Sequence, residues 1–330
     1  MKYSEPELIS LPFDQYQRYR LTAEVLDRLR PSEQALEILE VGGYPGVGKR
    51  FFPKDEFLIV DLFAEGKPDE LVASALDLPF PDSSFPVVIS VDLLEHLLPE
   101  QRERAISEMA RVSSELILLS APFQYSLARQ AEKLVFEFIK DWLGWEHKYL
   151  KEHLEIPAPK LVETESELVK LGFDTQILPN GNLERWLIMM LGYYYFEGLA
   201  DALELRQRLS QFYNQHFFFW DISEPAYRHL IVASRCWLKE KPQALEDLIS
   251  KIQREPEPDY QRFQLWLEFF RHGEIRRFEE KISQLEQALK SREEEIAHLR
   301  AYISELEDFH QKVKSSLLYR LYQAVFKRKK

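Results

Sequence analysis

Cysteine is nearly absent from this sequence, since Cys236 is the only one among 330 residues. A single thiol excludes an internal disulfide framework and a metal cage built from cysteines. Apolar runs are short, and none approaches the roughly 18 uncharged residues of a membrane-spanning helix. The first residues show no basic start followed by an apolar run, so no signal peptide is expected. These absences predict a cytoplasmic protein.

Charge is unevenly distributed along the chain. The net charge is −12, yet residues 311–330 hold seven basic residues and no acidic one, so residues 1–310 carry −19. An acidic body argues against binding along a nucleic-acid backbone, and we expect no nucleic-acid partner. The basic end favours an anionic surface instead.

Short apolar runs alternate with helical patterns through the first 240 residues. The first helical pattern, over 15–30, is amphipathic and ends before Pro31, and another covers 99–112. This alternation is typical of an α/β fold with a largely parallel sheet and crossover helices. Seven strands are predicted, over 35–43, 57–62, 70–74, 86–91, 115–122, 173–179 and 228–235.

Two aromatic-rich segments, 123–171 and 180–226, are predicted to be helical insertions on the acceptor side of a domain that spans 1–237. Their aromatic clusters suit core packing or the lining of an apolar pocket. The following segment, 238–273, is charged and contains three prolines, so we predict a linker with short helices there.

Apolar residues follow a heptad repeat after Gly273, which predicts a coiled coil over 274–313 and a parallel homodimer. The last residues, 314–330, combine an apolar helical stripe with a basic end. That pattern predicts that 315–330 binds an anionic membrane surface, the alternative being a solvated continuation of the coiled coil. The heptad core positions are Ile275, Ile282, Leu289, Ile296 and Ile303, with Phe278, Leu285, Leu299, Leu306 and Val313.

The glycine-rich segment 38–50 has three interpretations. Gly43, Gly48 and Lys49 match most of a phosphate loop, but Arg50 stands where a hydroxyl should hold magnesium. A dinucleotide-binding turn requires Gly-x-Gly-x-x-Gly, and the glycine register here fits that pattern poorly.

The third interpretation is an adenosyl-binding turn that follows Glu40 at the end of the first strand. Gly42 and Gly46 let the chain pass close under the ligand. Asp61 follows 21 residues after Glu40, at the end of the second strand, where a carboxylate can accept both ribose hydroxyls.

Segment 76–112 distinguishes these interpretations. It contains Leu-Pro-Phe at 78–80, Leu-Glu-His at 94–96, and Glu-Met-x-Arg-Val at 108–112, with Asp82, Ser84 and Phe85 between them. This combination closely resembles the class I S-adenosylmethionine-dependent methyltransferases of type 11. The resemblance is close over 35–122 and loose to 237. It implies a Rossmann-like seven-stranded methyltransferase sheet with helical insertions, followed here by a coiled-coil helix.

The resemblance implies S-adenosyl-L-methionine as the cofactor, and a lid formed by the first helix with Tyr16, Arg18 and Tyr19. Ser74 stands where the family usually has an acid for the adenine amino group, and Tyr44 replaces the usual middle glycine. The cofactor-binding residues would be Glu40, Gly42, Gly43, Gly46, Asp61, Leu62, Ser74, Ala75, Leu76, Val91 and Asp92.

Three histidines are candidates for the acceptor side. His96 follows the fourth strand at the carboxyl edge of the sheet, where ligands bind in open α/β folds, and a histidine there can serve as a base. His147 and His153 follow the fifth strand, in the region that caps the acceptor in this family. Because these two are six residues apart on a helix and share a face poorly, we expect no metal site.

The leading hypothesis is an enzyme that O-methylates a glycan or lipid-linked acceptor for surface polysaccharides, peripheral on the inner face of the membrane. One alternative is a soluble small-molecule methyltransferase dimerised by its coiled coil. The other is a non-catalytic scaffold with a degenerate cofactor site, as Ser74 and Tyr44 would allow.

Overall fold

The computed structural model describes residues 5–199, 203–246, 248 and 259–326. The chain divides into two compact units, one ending at residue 256 and the other beginning at residue 257. The first unit is an α/β domain, and the second consists of helices.

A seven-stranded sheet lies at the centre of the first unit, in the order β3-β2-β1-β4-β5-β7-β6. Strands β1 to β5 pair in parallel, whereas β7 runs antiparallel between β5 and β6. All seven predicted strands are present, and the predicted fold class is confirmed. The strands are β1 (Glu37–Val41), β2 (Glu56–Asp61), β3 (Glu70–Val72), β4 (Phe85–Val91), β5 (Ser113–Ala121), β6 (Asp174–Asn182) and β7 (Ala226–Ser234).

Nine helices surround or follow this sheet in the first unit, besides a helical stretch over the described residues 243–246 and 248. They are α1 (Glu5–Ile9), α2 (Phe13–Leu29), α3 (Pro99–Val112), α4 (Ser126–Leu143), α5 (Lys148–Glu155), α6 (Leu161–Lys170), α7 (Leu183–Glu197), α8 (Leu203–Phe217) and α9 (Trp237–Glu240).

The central strands are apolar on both sides because helices cover both faces of the sheet. In β5, Leu116 and Leu118 pack into the core on the α2 side, whereas Ile117 and Leu119 pack on the α3 side. This alternation follows from the two-residue period of a strand. Helix α2 contributes Leu21, Val25, Leu26 and Leu29 to its core, and α3 contributes Ala105, Ile106 and Met109 to the other.

The two predicted helical insertions correspond to α4–α6 and to α7–α8. The second begins later than predicted, because β6 extends to Asn182 before α7 starts. Helix α4 packs on α5 and α7, and α8 packs on α7 and α2. The insertions therefore contact the predicted lid helix α2.

The second unit contains α10 (Asp259–Ser315) and α11 (Leu317–Phe326), with a bend at Ser316. The predicted linker boundary at residue 273 is wrong, since the helix already begins at Asp259. One internal glycine costs a helix only about 1 kcal/mol relative to alanine, and 57 residues can carry that cost at Gly273. Among the described residues, no helix is both long and apolar enough to cross a membrane.

The predicted heptad positions of α10 lie along its exposed surface. From Ile282 to Val313, their side chains are 40 to 61% exposed. Those of Ile275 and Phe278 fall outside the described side chains. Because the structure contains a single chain, no second helix covers this face of the described residues, and the coiled coil stays a prediction.

Candidate active site

The parallel strands β1, β2, β4 and β5 end at a common edge of the sheet, and the predicted cofactor residues follow these ends. The turn after β1 contains Gly42 at φ +81° and Gly46 at φ +84°, a left-handed conformation that favours glycine. A Cβ atom at Gly42 would also lie 2.8 Å from Cδ1 of Leu93. Both glycines are therefore required by the shape of this turn.

Glu40 lies beneath the glycine turn and is fully buried. The Tyr19 hydroxyl interacts with this carboxyl group, but neither carboxylate oxygen is in close hydrogen-bond geometry with a protein donor. A Cβ atom at Gly43 would lie 2.3 Å from this carboxyl group, so the absence of a side chain at Gly43 makes room for it. Burial raises the pKa of Glu40 to about 8. This carboxyl group could be satisfied by a cationic or hydrogen-bond-donating ligand.

Asp61 ends β2, and each oxygen of its half-buried carboxylate accepts a hydrogen bond from a backbone N–H group. The Tyr44 amide donates to Oδ2 at 3.2 Å, and the Phe63 amide donates to Oδ1 at 2.9 Å. Leu62 and Phe63 expose apolar side chains beside it. A carboxylate oxygen can accept more than one hydrogen bond, so Asp61 retains capacity for a diol.

Ser74 lies two residues beyond β3, which pairs with β2 so that Asp61 is opposite Val72. The Ser74 hydroxyl accepts a hydrogen bond from the Leu76 amide at 3.1 Å, which fixes the turn containing Ala75. The predicted ribose and adenine sites are thus on neighbouring strands.

Asp92 follows β4 and belongs to a buried ion-pair cluster. Arg228 of β7 binds its carboxylate at 2.8 and 3.0 Å, and Arg18 of α2 also contacts it. Arg228 donates to Asp14 as well, at 2.8 Å. Burial opposes ionisation of Asp92, but Arg228 and Arg18 outweigh it and lower the pKa. Asp92 thus fixes helix α2 on the sheet, while its neighbour Val91 is buried in the core.

His96 and His153 are brought together by a helix packing against the turn after β4. His96 ends a 3₁₀ turn, Leu94–His96, and His153 lies on α5, with the two ring centroids 5.0 Å apart. Each Nδ1 atom contacts a carboxylate, Glu152 at 3.0 Å for His96 and Glu132 at 2.7 Å for His153. The two rings are therefore held in fixed orientations.

His147 has a different position from these two histidines. It caps the N-terminus of α5, where its Nδ1 atom accepts a hydrogen bond from the Leu150 amide at 3.3 Å. Its ring also packs against Trp145 and Tyr194. These contacts give His147 a role in positioning the helix that carries His153.

Glu95, which precedes His96, was not singled out from the sequence. It is 1% exposed, and neither carboxylate oxygen has a hydrogen-bond partner. Burial and the charge of Asp92 raise its pKa to about 8. The Leu-Glu-His motif was a signal for this residue, because a carboxylate next to a candidate histidine shares its surroundings.

A cavity of about 250 Å³ opens beside this group. Phe123 and Tyr125 contribute apolar wall, whereas Glu95, Glu132 and His153 contribute polar groups. A mostly apolar cavity with a few convergent polar groups is typical of a small-molecule binding site. We therefore take this cavity as the candidate acceptor site.

Residues 58–115 match the family model described as a methyltransferase domain. The order of the seven strands agrees with that match. Residues 58–115 thus belong to a methyltransferase domain, as the resemblance implied. The cofactor of this class is S-adenosyl-L-methionine, and the sequence-based resemblance is confirmed.

A curated enzyme is similar to part of this chain. The ajmaline N-methyltransferase of Rauvolfia serpentina is 32% identical over 108 residues, which cover 30% of this chain and 36% of the relative. The match thus spans about a third of the relative's length.

Two solved structures illustrate the structural neighbours. A putative methyltransferase from Bacillus halodurans is 18% identical and covers 64% of this chain and 97% of its own, with a TM-score of 0.37. Magnesium protoporphyrin IX methyltransferase from Synechocystis is 13% identical and covers 67% and 83%, with a TM-score of 0.40.

Proposed function

We propose that this chain is an S-adenosylmethionine-dependent methyltransferase that methylates a hydroxyl oxygen of a glycan or lipid-linked acceptor, in surface polysaccharide biosynthesis. The observation that carries the proposal is the cavity bordered by Glu95 and His153. It lies next to the turn that follows β4, at the sheet edge that also carries the predicted cofactor residues.

The residues at this edge fit the cofactor. Asp61 would accept the ribose hydroxyls, since charge-assisted hydrogen bonds to a vicinal diol fix the sugar. The backbone of Ala75 and Leu76 would contact the base, beside exposed apolar surface at Leu62. Glu40, a buried carboxyl group beside Tyr19 with capacity for further hydrogen bonds, would face the charged end of the ligand. When bound, the cofactor supplies a methyl group on a sulfonium sulfur.

The acceptor would bind in the cavity, with its hydroxyl directed at the pair His96 and His153. Methyl transfer is an in-line displacement, so the protein contributes mainly alignment and exclusion of water. His153, whose ring Glu132 holds in place, supplies a polar group to this mostly apolar cavity, with His96 beside it. A hydroxyl oxygen needs such activation. His147 would support this arrangement through its cap on α5.

Calorimetric titration of the full chain with S-adenosylmethionine tests the cofactor site. We expect saturable heat for the natural chain and about tenfold or greater weakening in Asp61→Ala, because hydrogen bonds to a charged group contribute about 1.5–3 kcal/mol. Asp308→Ala, an exposed position on α10, is the control and should bind normally. No heat and no thermal shift at millimolar ligand would reject the enzyme.

A non-catalytic scaffold is the second candidate, favoured by one observation. Asp92 is already satisfied by Arg18 and Arg228, so it has no free role toward a cofactor. A scaffold would show no binding in the same titration. A soluble small-molecule methyltransferase would bind the cofactor but not depend on a membrane surface.

We also propose that the chain forms a homodimer through α10 and contacts anionic membrane through α11. The exposed heptad face of α10 supports the first idea, because an apolar stripe of this period packs against another helix. The exposed apolar side chains of α11, from Leu317 to Val325, and the basic residues that follow in sequence support the second.

A further inference from the structure

Three potential metal ligands meet beside the acceptor cavity. Glu95, His96 and His153 each offer one ligand atom, and these atoms all lie within 4.8 Å of one another. They come from the turn after β4 and from α5, elements separated by more than fifty residues in sequence. Two of them, Glu95 and His153, border the cavity.

The two histidines have the surroundings that metal-bound histidines usually have. The ring nitrogen of such a histidine that does not bind the metal commonly donates its N–H to a carboxylate, and this hydrogen bond fixes the ring orientation and the tautomer. Here Nδ1 of His96 contacts Glu152 at 3.0 Å, and Nδ1 of His153 contacts Glu132 at 2.7 Å. The Tyr227 hydroxyl donates to the same Glu132 oxygen at 2.8 Å. Both Nε2 atoms are thereby left for a ligand.

The inner atoms of this cluster lack partners. Both carboxylate oxygens of Glu95 are buried without a hydrogen bond, and so is Nε2 of His153. A buried polar group without a partner costs on the order of 1–3 kcal/mol, and a charged group costs more. Arg18 and Arg228, the nearby cations, contact Asp92 instead. A bound cation would give the Glu95 carboxylate and Nε2 of His153 the partner that they lack.

We propose that Glu95, His96 and His153 bind one divalent first-row transition-metal ion, through a carboxylate oxygen of Glu95 and Nε2 of each histidine. Two imidazoles and one carboxylate suit zinc, manganese or iron, whereas magnesium prefers oxygen ligands. In tetrahedral coordination, bonds of about 2.0–2.2 Å place ligand atoms about 3.3–3.6 Å apart. The three side chains, whose ligand atoms lie within 4.8 Å of one another, would therefore draw together by about 1 Å on binding.

The cavity gives this ion an open coordination position, as catalytic rather than structural sites have. In its catalytic role, which rests on the proposed function, the ion binds the acceptor oxygen and lowers the pKa of its hydroxyl. The hydroxyl proton passes to water. The oxygen then forms a bond to the methyl carbon, and the carbon–sulfur bond breaks with its electron pair left on sulfur.

Cobalt(II) titration of the full chain, after chelator treatment and without cofactor, tests the site directly. We expect a visible absorption that saturates at one equivalent and is competed by zinc. Glu95→Gln and His153→Gln should weaken cobalt binding by at least tenfold. His216→Gln, on α8 and outside the cluster, should leave it unchanged. Folding of each variant is checked by circular dichroism.

If removing a ligand prevents folding, Glu132→Gln provides the second variant, because changes of such supporting carboxylates usually weaken metal binding 10- to 100-fold. Absent absorption, or equal binding in the natural chain and in the folded Glu95→Gln or Glu132→Gln variants, would overturn the metal site. One-equivalent binding without any methyl transfer would support the site while rejecting the proposed function. Methyl transfer that persists after chelation, without cobalt binding, would do the reverse.

Discussion

His153 and Tyr227 share one oxygen atom, since Nδ1 of His153 lies 2.7 Å and the Tyr227 hydroxyl 2.8 Å from Oε1 of Glu132. Tyr227→Phe removes one of these contacts and keeps the ring, which stacks on Trp186 at 3.7 Å. We expect a loss of about 1–2 kcal/mol in the free energy of unfolding, because the acceptor is buried. Urea titration measures it. Tyr149→Phe, at an exposed ring, should change little, and equal losses in the two variants would contradict the shared contact.

Gly42 and Gly144 both have positive φ, +81° and +74°, but only one is sterically enclosed. Alanine at either position incurs the left-handed cost of about 1–2 kcal/mol. At Gly42 the new Cβ would also meet Leu93 at 2.8 Å, whereas nothing lies within 4 Å at Gly144. We therefore expect Gly42→Ala to lose about 1 kcal/mol more stability than Gly144→Ala in urea titration, and to weaken cofactor binding. Indistinguishable stabilities would show that Leu93 moves aside freely.

Glu40 should make stability depend on pH. Its folded pKa of about 8 lies above its ordinary value of 4.5, because burial favours the neutral form. Its contribution is therefore fully present below about pH 4.5 and is lost as pH rises toward 8. We expect Glu40→Gln, which keeps the shape without the charge, to gain stability relative to the natural chain between pH 5 and 8. Urea titrations of both proteins across that range measure the difference in the free energy of unfolding. A difference that does not change with pH would show that the pKa of Glu40 is not raised in the folded state.

The exposed stripe of α10 predicts a dimer that a charge would disrupt. Ile296 and Leu299 are adjacent core positions of the heptad, both about half exposed in one chain. Replacing them with lysine should convert a dimer to a monomer, because two charges cannot be buried together in the seam. Light scattering after size-exclusion chromatography measures the mass. Replacing Glu294 and Glu305, exposed positions that face away from the seam, with lysine should leave the dimer intact. A monomeric natural chain would reject the coiled coil.

The exposed apolar side chains of α11 and the basic residues that follow in sequence predict binding to anionic lipid. Leu318 and Leu321 are exposed on its apolar side. Changing both to glutamate should abolish flotation of the full chain with vesicles containing phosphatidylglycerol, since it removes buried area and adds repulsion. Vesicles of phosphatidylcholine alone should recover little of either protein. Equal recovery of variant and natural chain on anionic vesicles would remove the membrane proposal.

Local pattern was sufficient to predict the sheet. Apolar runs bounded by glycine or charge marked the central strands, such as Leu116 to Ala121 in β5, because a strand covered on both faces must be apolar throughout. The start of α10 at Asp259 was missed, since prolines earlier in the segment and Gly273 argue locally for interruption, and helix propensity summed over the long segment outweighs one glycine.

The candidate site was only half predictable, because its contacts join distant parts of the chain. Asp61 and the glycine turn lie within one strand-turn-strand segment, so spacing alone predicted that they approach each other. His96 and His153 were each candidates, but periodicity relates residues on one helix and cannot show that α5 packs on the turn after β4. Glu132 was missed for the same reason, as it belongs to a third element, α4.

Strand β7 is the last strand of the sheet to be synthesised, yet it lies between β5 and β6. Its residue Arg228 forms ion pairs with Asp14 and Asp92, which precede it by 214 and 136 residues in the chain. Until about residue 235 has left the ribosome, a growing polypeptide therefore leaves β5 and β6 without the strand that pairs with both, and Asp14 and Asp92 without Arg228. Premature termination before β7 would yield a product that exposes aggregation-prone edges, rather than a smaller working enzyme.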